Sequence, residues 1–273
     1  MDTVSTSQPH DPWRPDLRIG DMLRGRRALV VGIANEHSIA HGCARALHAS
    51  GAALAVTWLN EKAEHFVRPL AEALDAEIMM PLDVECPGQI EAVFERIAAD
   101  WGGLDVLVHS IAFAPREDLQ GRTVDCSAEG FATAMRISCW SFLRMAKLAE
   151  PLMRPGGTLV TMSFQGAERV VEAYGIMGPV KAALEAAVRY AAAELAPSGL
   201  RVHAVSPGPL RTRAASGIRQ FDELLRSATE RAPLHRVVDI DEIGRVVAFL
   251  ASDACSGMTG STLHVDAGMH IMA

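Results

Sequence analysis

Apolar residues in this chain come in short unbroken runs, and each run is followed by a longer stretch in which they recur at helical spacing. Ala28-Leu29-Val30-Val31 is the first run, with an amphipathic stretch over 38–50 behind it. Ala53-Leu54-Ala55-Val56-Thr57-Trp58 precedes a helical pattern over 61–74, and the run over 77–82 precedes one over 88–101. Val106-Leu107-Val108-His109 leads into a long pattern over 128–153. Gly157-Thr158-Leu159-Val160-Thr161-Met162-Ser163 leads into an Ala-rich one over 179–196. Arg201-Val202-His203-Ala204-Val205, a helical stretch over 241–251 and Ser261-Thr262-Leu263-His264-Val265 close the series. Strands that are apolar throughout, rather than at every second position, fit a sheet covered on both faces. The pattern predicts an α/β fold: a single-domain doubly wound parallel sheet, Rossmann-like, with its ligand crevice at the carboxyl ends of the strands.

Composition narrows the function classes. With 273 residues, 49% apolar and 22% charged, the chain can bury one large core. A formal charge of -7 argues against a nucleic-acid surface, which needs a basic footprint. Cys43, Cys86, Cys126, Cys139 and Cys255 are scattered without a Cys-x-x-Cys spacing, as in a reduced, cytoplasmic protein. No two histidines stand four apart on a helical stretch, so no metal centre is expected. No apolar run approaches the ~18 residues that a membrane span needs. Residues 1–22, with Pro9, Pro12 and Pro15 and no apolar segment, are expected to be a flexible tail ahead of a domain over 23–273.

The strand ends hold the candidate chemistry. Gly32 allows a turn out of the first strand, Ser38 can cap the helix behind it, and that helix N-terminus suits a pyrophosphate. Gly42 would let the helix approach the sheet closely. A plain strand–loop–helix connection would look the same. Asp83-Val84, Ser110-Ile111 and Leu210-Arg211-Thr212 follow later strands, where a carboxylate could meet an adenine amino group and a threonine a diphosphate or carboxamide. Asp83 could equally cap a helix. Neither 33–37 nor Trp58-Leu59-Asn60-Glu61 holds a lysine or arginine for a ribose 2′-phosphate, which favours NADH over NADPH. Tyr174, one of two tyrosines, lies between the fifth strand and the Ala-rich helix, and Lys181 falls on the first turns of that helix. A phenol so placed can donate a proton to an oxygen that becomes negative, and a lysine beside it can hold a ribose.

From about Leu23 onward the chain resembles the enoyl-acyl-carrier-protein reductases of the short-chain dehydrogenase/reductase superfamily. The resemblance rests on Gly32…Ser38-Ile39-Ala40…Gly42, His109-Ser110-Ile111-Ala112-Phe113-Ala114-Pro115, Gly166-Ala167-Glu168-Arg169 and Tyr174-x6-Lys181. Arg211-Thr212-x-Ala214-Ala215-Ser216-Gly217-Ile218 and His264-Val265-Asp266-Ala267-Gly268 complete it. It implies reduction of a trans-2-enoyl thioester in fatty-acid biosynthesis, the acyl group borne by acyl carrier protein. Tyr174 would stabilise or protonate the enolate and Lys181 would bind the ribose. The implied cofactor set is Gly32, Ser38, Ile39, Asp83, Val84, Ser110, Ile111, Lys181, Leu210 and Thr212, and the implied substrate set is Ala114, Phe164 and Tyr174.

Two positions depart from the family's pattern. Phe164 stands where relatives keep a second tyrosine, and Leu59 where they place a polar or basic residue. The first leaves open a related reductase acting on another carbonyl or enone; a non-catalytic dinucleotide-binding protein is the remaining alternative. Residues 213–234, with small residues and then Ile218, Phe221, Leu224 and Leu225, are expected to form a lid over the acyl chain. The apolar surface of the helices over 128–153 and 179–196, with the resemblance, implies a homotetramer.

Overall fold

The computed structural model describes residues 20–212 and 221–272. Most of the predicted tail and the 213–220 part of the predicted lid lie outside these residues. The elements run β1 (Arg27–Val31), α1 (Ile39–Ala49), β2 (Ala53–Trp58), α2 (Glu61–Glu72), β3 (Ile78–Pro81), α3 (Gln89–Trp101) and β4 (Val106–His109). After α4 (Arg116–Gln120) come α5 (Ala128–Met135), α6 (Ser141–Ala149), β5 (Gly157–Met162), α7 (Met177–Leu195) and β6 (Leu200–Pro207). The chain closes with α8 (Phe221–Arg231), α9 (Ile240–Ala251) and β7 (Thr262–Val265). All strand pairs are parallel, in the order β3-β2-β1-β4-β5-β6-β7.

Successive side chains on a strand point to opposite faces, and both faces are buried. In β1, Val30 joins one core with Val56 of β2 and with Ile243 and Val247 of α9. Its neighbour Leu29 joins the other, with Leu107, Phe94, Phe142, Leu184 and Val188. This two-sided burial is why the strands read as unbroken apolar runs.

The expected helix over 128–153 is divided. A π turn over Arg136–Trp140 separates α5 from α6, and a 3-10 turn over Glu150–Leu152 follows. Gly42 does not serve the sheet as expected. A Cβ there would lie 2.2 Å from the carbonyl oxygen of Ile240, and one at Gly244 would lie 2.2 Å from that of Gly42. The close approach is between α1 and α9, which cross at a pair of glycines. A capping box holds the start of α9: the Asp239 carboxylate accepts from the Glu242 N–H at 2.9 Å, and Glu242 accepts from the Asp239 N–H at 2.9 Å.

Two core histidines are held neutral. His109 bonds Thr161 at 3.0 Å and Ser141 at 2.8 Å, and burial, then the Lys181 charge, pushes its pKa down to about 3. His203 lies fully buried in β6, and burial, then the Arg201 charge, pushes its pKa down to about 4. In the unfolded chain both titrate at about 6.5. Between that value and the folded ones the unfolded state binds more protons, so stability falls as pH falls. The expected loss at pH 5 is on the order of 2 kcal/mol per histidine. Urea midpoints should drop between pH 7 and pH 5, and His203→Asn should flatten the slope. A slope unchanged by His203→Asn would refute its part in the loss.

Candidate active site

The strand order reverses direction between β1 and β4, and that switch point is where a doubly wound sheet opens a crevice. Val31 pairs with His109, so Gly32 and Ser110 leave the sheet side by side. Gly32 has φ +103°, and a Cβ on it would lie 2.1 Å from the Ser110 carbonyl oxygen. Only glycine leaves room for the two backbones to pass.

Ser38 precedes α1 but does not cap it. Its hydroxyl oxygen accepts instead from the N–H groups of Ala34 at 2.9 Å and Asn35 at 3.0 Å, bracing the loop. The N–H groups of Ile39 and Ala40 take no partner among the described residues. The helix start therefore keeps donors free for an anion, by a different arrangement from the one Ser38's position suggested.

Ile39 and Leu210 pack on one core face, while Val84 and Ile111 pack on the other. Asp83 braces its own loop: one carboxylate oxygen accepts from the Glu85 N–H at 2.9 Å, and its N–H donates to Gln89 at 2.7 Å. Thr212 donates its N–H to the Leu210 carbonyl at 2.8 Å. A cavity of about 560 Å³ opens beside Leu210, with His37, Thr229 and Ile240 on its wall and an Arg211–Asp222 ion pair of 2.7 Å across it. Another, of about 510 Å³, lies at the amino ends of the strands beside Gly157, Leu200 and Arg201, remote from the crevice.

The substrate candidates converge. Ala114, Phe164 and Tyr174 belong to one apolar cluster with Ile176, Met177 and Val180. The Tyr174 ring is tilted 52° against Phe164 at 4.8 Å between centroids, and a Cβ on Gly166 would lie 2.5 Å from it. Gly166 thus sets how close the ring can lie. Burial pushes the Tyr174 hydroxyl's pKa well above its ordinary value, and that hydroxyl has no hydrogen-bond partner among the described residues. A buried phenol held protonated and unpaired is ready to donate to an incoming oxygen.

Lys181 is buried on α7 and donates to the Met162 carbonyl, at the end of β5, at 2.6 Å. Burial lowers its pKa to about 8, with Cys139 and Glu185 acting against the shift. One of its three N–H bonds is thereby used, and two remain for ribose hydroxyls. One turn further along α7, Glu185 accepts a hydrogen bond from Ser163. Glu185 is not among the residues expected at the site, although its spacing from Lys181 places both on one helix face.

Two further side chains bear on ligand choice. Leu59, past the end of β2, is half exposed. Arg68 lies over the Trp58 ring at 4.9 Å, a cation the sequence reading did not bring to this strand end, but its charge is paired with Glu64. The nearest approach to a metal-ligand set among the described residues is His264, Asp266 and His270, with ligand atoms within 4.8 Å of one another. The two imidazoles are stacked 4.0 Å apart and 9° from parallel, so their in-plane lone pairs do not converge on one ion.

This sheet, with its crevice at the switch point and a tyrosine and lysine beside it, defines a dinucleotide-binding reductase of the short-chain dehydrogenase type. A family model described as enoyl-(acyl carrier protein) reductase matches residues 32–270. The NADH-dependent enoyl-[acyl-carrier-protein] reductase FabI of Nostoc sp. is 46% identical over 253 residues, covering 92% of this chain and 98% of that protein. The crystal structure of an enoyl-(acyl-carrier-protein) reductase from Anaplasma phagocytophilum in complex with NAD superposes with a TM-score of 0.90 at 43% identity, covering 94% of this chain and 98% of that one. A Bacillus cereus enoyl-acyl carrier protein reductase with NADP+ and indole naphthyridinone gives a TM-score of 0.90 at 43% identity, over 93% of this chain and 99% of that one. The chain belongs to the enoyl-(acyl carrier protein) reductase family.

Proposed function

We propose that this chain reduces trans-2-enoyl thioesters of acyl carrier protein with NADH, in fatty-acid biosynthesis. The observation that carries the reading is the unpaired, protonated hydroxyl of Tyr174, packed with Ala114 and Phe164 beside Lys181. The crevice fits a dinucleotide on two features: the passage that a Cβ at Gly32 would fill, and the free N–H groups of Ile39 and Ala40. Ser110, Ile111, Asp83, Val84, Leu210 and Thr212 would line the remainder of that binding site. When bound, NADH supplies the hydride that adds to the β-carbon.

Negative charge then grows on the thioester oxygen. Tyr174 donates to that oxygen, where a hydrogen bond in a dry site is worth most. Lys181 keeps its charge below pH 8 and orients the ribose. Ala114 and Phe164 present apolar surface to the acyl chain and exclude water. NADH is favoured because Leu59 offers a 2′-phosphate no donor and Arg68 is already paired with Glu64.

NADH oxidation should be rapid with crotonyl or longer enoyl thioesters and absent with simple ketones. The reverse preference would assign the chain to a related carbonyl or enone reductase, and NADH binding without turnover to a non-catalytic protein. A homotetramer is supported by Phe131, Trp140 and Leu143, large apolar side chains exposed along α5–α6 and the π turn between them. A mass near that of one chain by light scattering would rule it out. A cytoplasmic location is supported by five free cysteines. Among the described residues no helix is long and apolar enough to cross a membrane.

A further inference from the structure

The stretch from Ile111 to Ala114 carries a cofactor candidate at one end and a substrate candidate at the other, yet it belongs to no strand or helix. Backbone in such a connection must find its hydrogen-bond partners elsewhere. Before it, the Ser110 N–H still donates to the Val31 carbonyl at 3.0 Å; behind it, the Pro115 carbonyl accepts from the Leu119 N–H at 2.9 Å. Between these two, among the described residues, only the side chain of Ser138 makes hydrogen bonds to the stretch. Its Oγ accepts from the Phe113 N–H at 3.0 Å and donates to the Phe113 carbonyl at 3.2 Å. The second bond is long for a hydroxyl donor, so the first carries most of the anchoring. Both main-chain groups of one residue are closed on a single hydroxyl.

Ser138 reaches Phe113 from the π turn between α5 and α6. Ile137, Ser138 and Cys139 are all buried, three residues in a row that a regular helix would spread over about 200° of its circumference. The wider i→i+5 winding of a π turn keeps them together on the inner side. Ser141, three residues on, bonds the His109 ring at 2.8 Å, so two serines hold the two ends of the 109–113 connection. The Phe113 ring itself is half exposed, and its packing does little to hold the backbone. The residue after it, Ala114, is buried in the cluster that contains Tyr174 and Phe164.

We infer that Ser138 is a positioning residue for the acyl pocket: its hydroxyl clamps the Phe113 main chain and so fixes Ala114 against Tyr174. The inference rests on the reduction proposed above. Without the hydroxyl, the Phe113 N–H and carbonyl turn to water, and Ala114, as the next residue, is carried with them. The apolar wall that Ala114 presents to the acyl chain then no longer stands at a fixed distance from the Tyr174 ring. Ala114 makes that contact in the ground state and the transition state alike, so its loss falls on KM rather than on kcat. The cofactor side is spared, because Ile111 is held by apolar packing on the sheet and not by Ser138.

The first test needs neither variant nor substrate. In the wild-type protein the Phe113 N–H should exchange with solvent about tenfold more slowly, after correction for intrinsic rates, than the N–H of exposed Ala112 beside it. Equal exchange at the two positions overturns the clamp. The second uses the scarcity of tyrosine: the chain has only Tyr174 and Tyr190, the latter exposed on α7. In protein labelled at tyrosine, Ser138→Ala should shift the NMR signals of the Tyr174 ring and leave those of Tyr190 in place, and an unmoved Tyr174 overturns the link to the pocket. The third is kinetic. With a crotonyl thioester, Ser138→Ala should raise KM about five- to tenfold, the equivalent of one hydrogen bond, while kcat and NADH affinity stay within about twofold. Ser252→Ala is the control. It also deletes a buried hydroxyl, which donates to the Phe249 carbonyl at 2.7 Å beside the cavity at the amino ends of the strands. Its melting temperature should fall and its KM should not move. An unchanged KM in Ser138→Ala, or an equal rise in Ser252→Ala, overturns the positioning role. Failure of the wild-type enzyme to reduce the thioester would sink the proposed reduction instead, leaving hydrogen exchange and the tyrosine signals to decide whether Ser138 sets the pocket.

Discussion

Tyr174→Phe is expected to lower turnover on an enoyl thioester by about 10²–10³ while leaving NADH affinity nearly unchanged. The ring packs against Phe164 and the bare backbone of Gly166, so deleting the hydroxyl removes no ring contact. Among the described residues that hydroxyl has no partner to leave stranded. The change therefore removes one donor, aimed at charge that develops only in the transition state. The checks are kcat by NADH absorbance and the NADH dissociation constant by fluorescence quenching. Near-normal turnover in a folded Tyr174→Phe protein would take Tyr174 out of the chemistry. A weakened NADH affinity with unchanged kcat would make it a cofactor contact.

Gly32→Ala should be the most damaging single methyl group near the site. The added carbon would lie 2.1 Å from the Ser110 carbonyl oxygen and 2.6 Å from its carbon, both backbone atoms, in a residue with φ +103°. Neither a side-chain rotation nor a small relaxation removes such a clash. Left-handed backbone strain and overpacking together should cost roughly 2–4 kcal/mol. In a domain of this size that lowers the melting temperature by roughly 10 °C. NADH binding should be lost as well, because the displaced Ser110–Ile111 backbone borders the crevice. Gly257→Ala is the control: no heavy atom lies within 4 Å of its added carbon, and its melting temperature should stay put. Equal behaviour of the two variants would show that the close passage of β1 and β4 does not constrain position 32.

The strands were legible in the sequence because both faces of the sheet are covered, so nothing interrupts their apolar runs. The convergence of Ala114, Phe164 and Tyr174 followed from the family's pattern rather than from spacing, since they lie on separate connections that meet only in three dimensions. Ser38 shows where local reading fails. A serine before a helix looks like a cap, but the loop folds back and offers its hydroxyl the N–H groups of Ala34 and Asn35 instead. The partner of Gly42 lies about 200 residues away, beyond the reach of any local pattern. The π turn over Arg136–Trp140 leaves the helical spacing of its neighbours nearly intact and so carries no signature of its own. Glu185 was readable in principle, because Met177, Lys181, Leu184 and Val188 mark the buried stripe on which it falls.

The crossing of α1 and α9 at Gly42 and Gly244 bears on how the protein is made. The helix whose first N–H groups face the crevice rests on a helix that leaves the ribosome some 200 residues later. A nascent chain that has emerged only as far as β6 already carries Gly32, Tyr174 and Lys181, and α1 can pack on β1 and β2, yet it still lacks α9, the helix it crosses at Gly244. Its dinucleotide crevice can take final shape only when synthesis is almost complete. Ribosome-bound intermediates should therefore be unable to retain NADH, and a premature stop before 240 should yield a chain with its chemistry encoded but no means of assembling it.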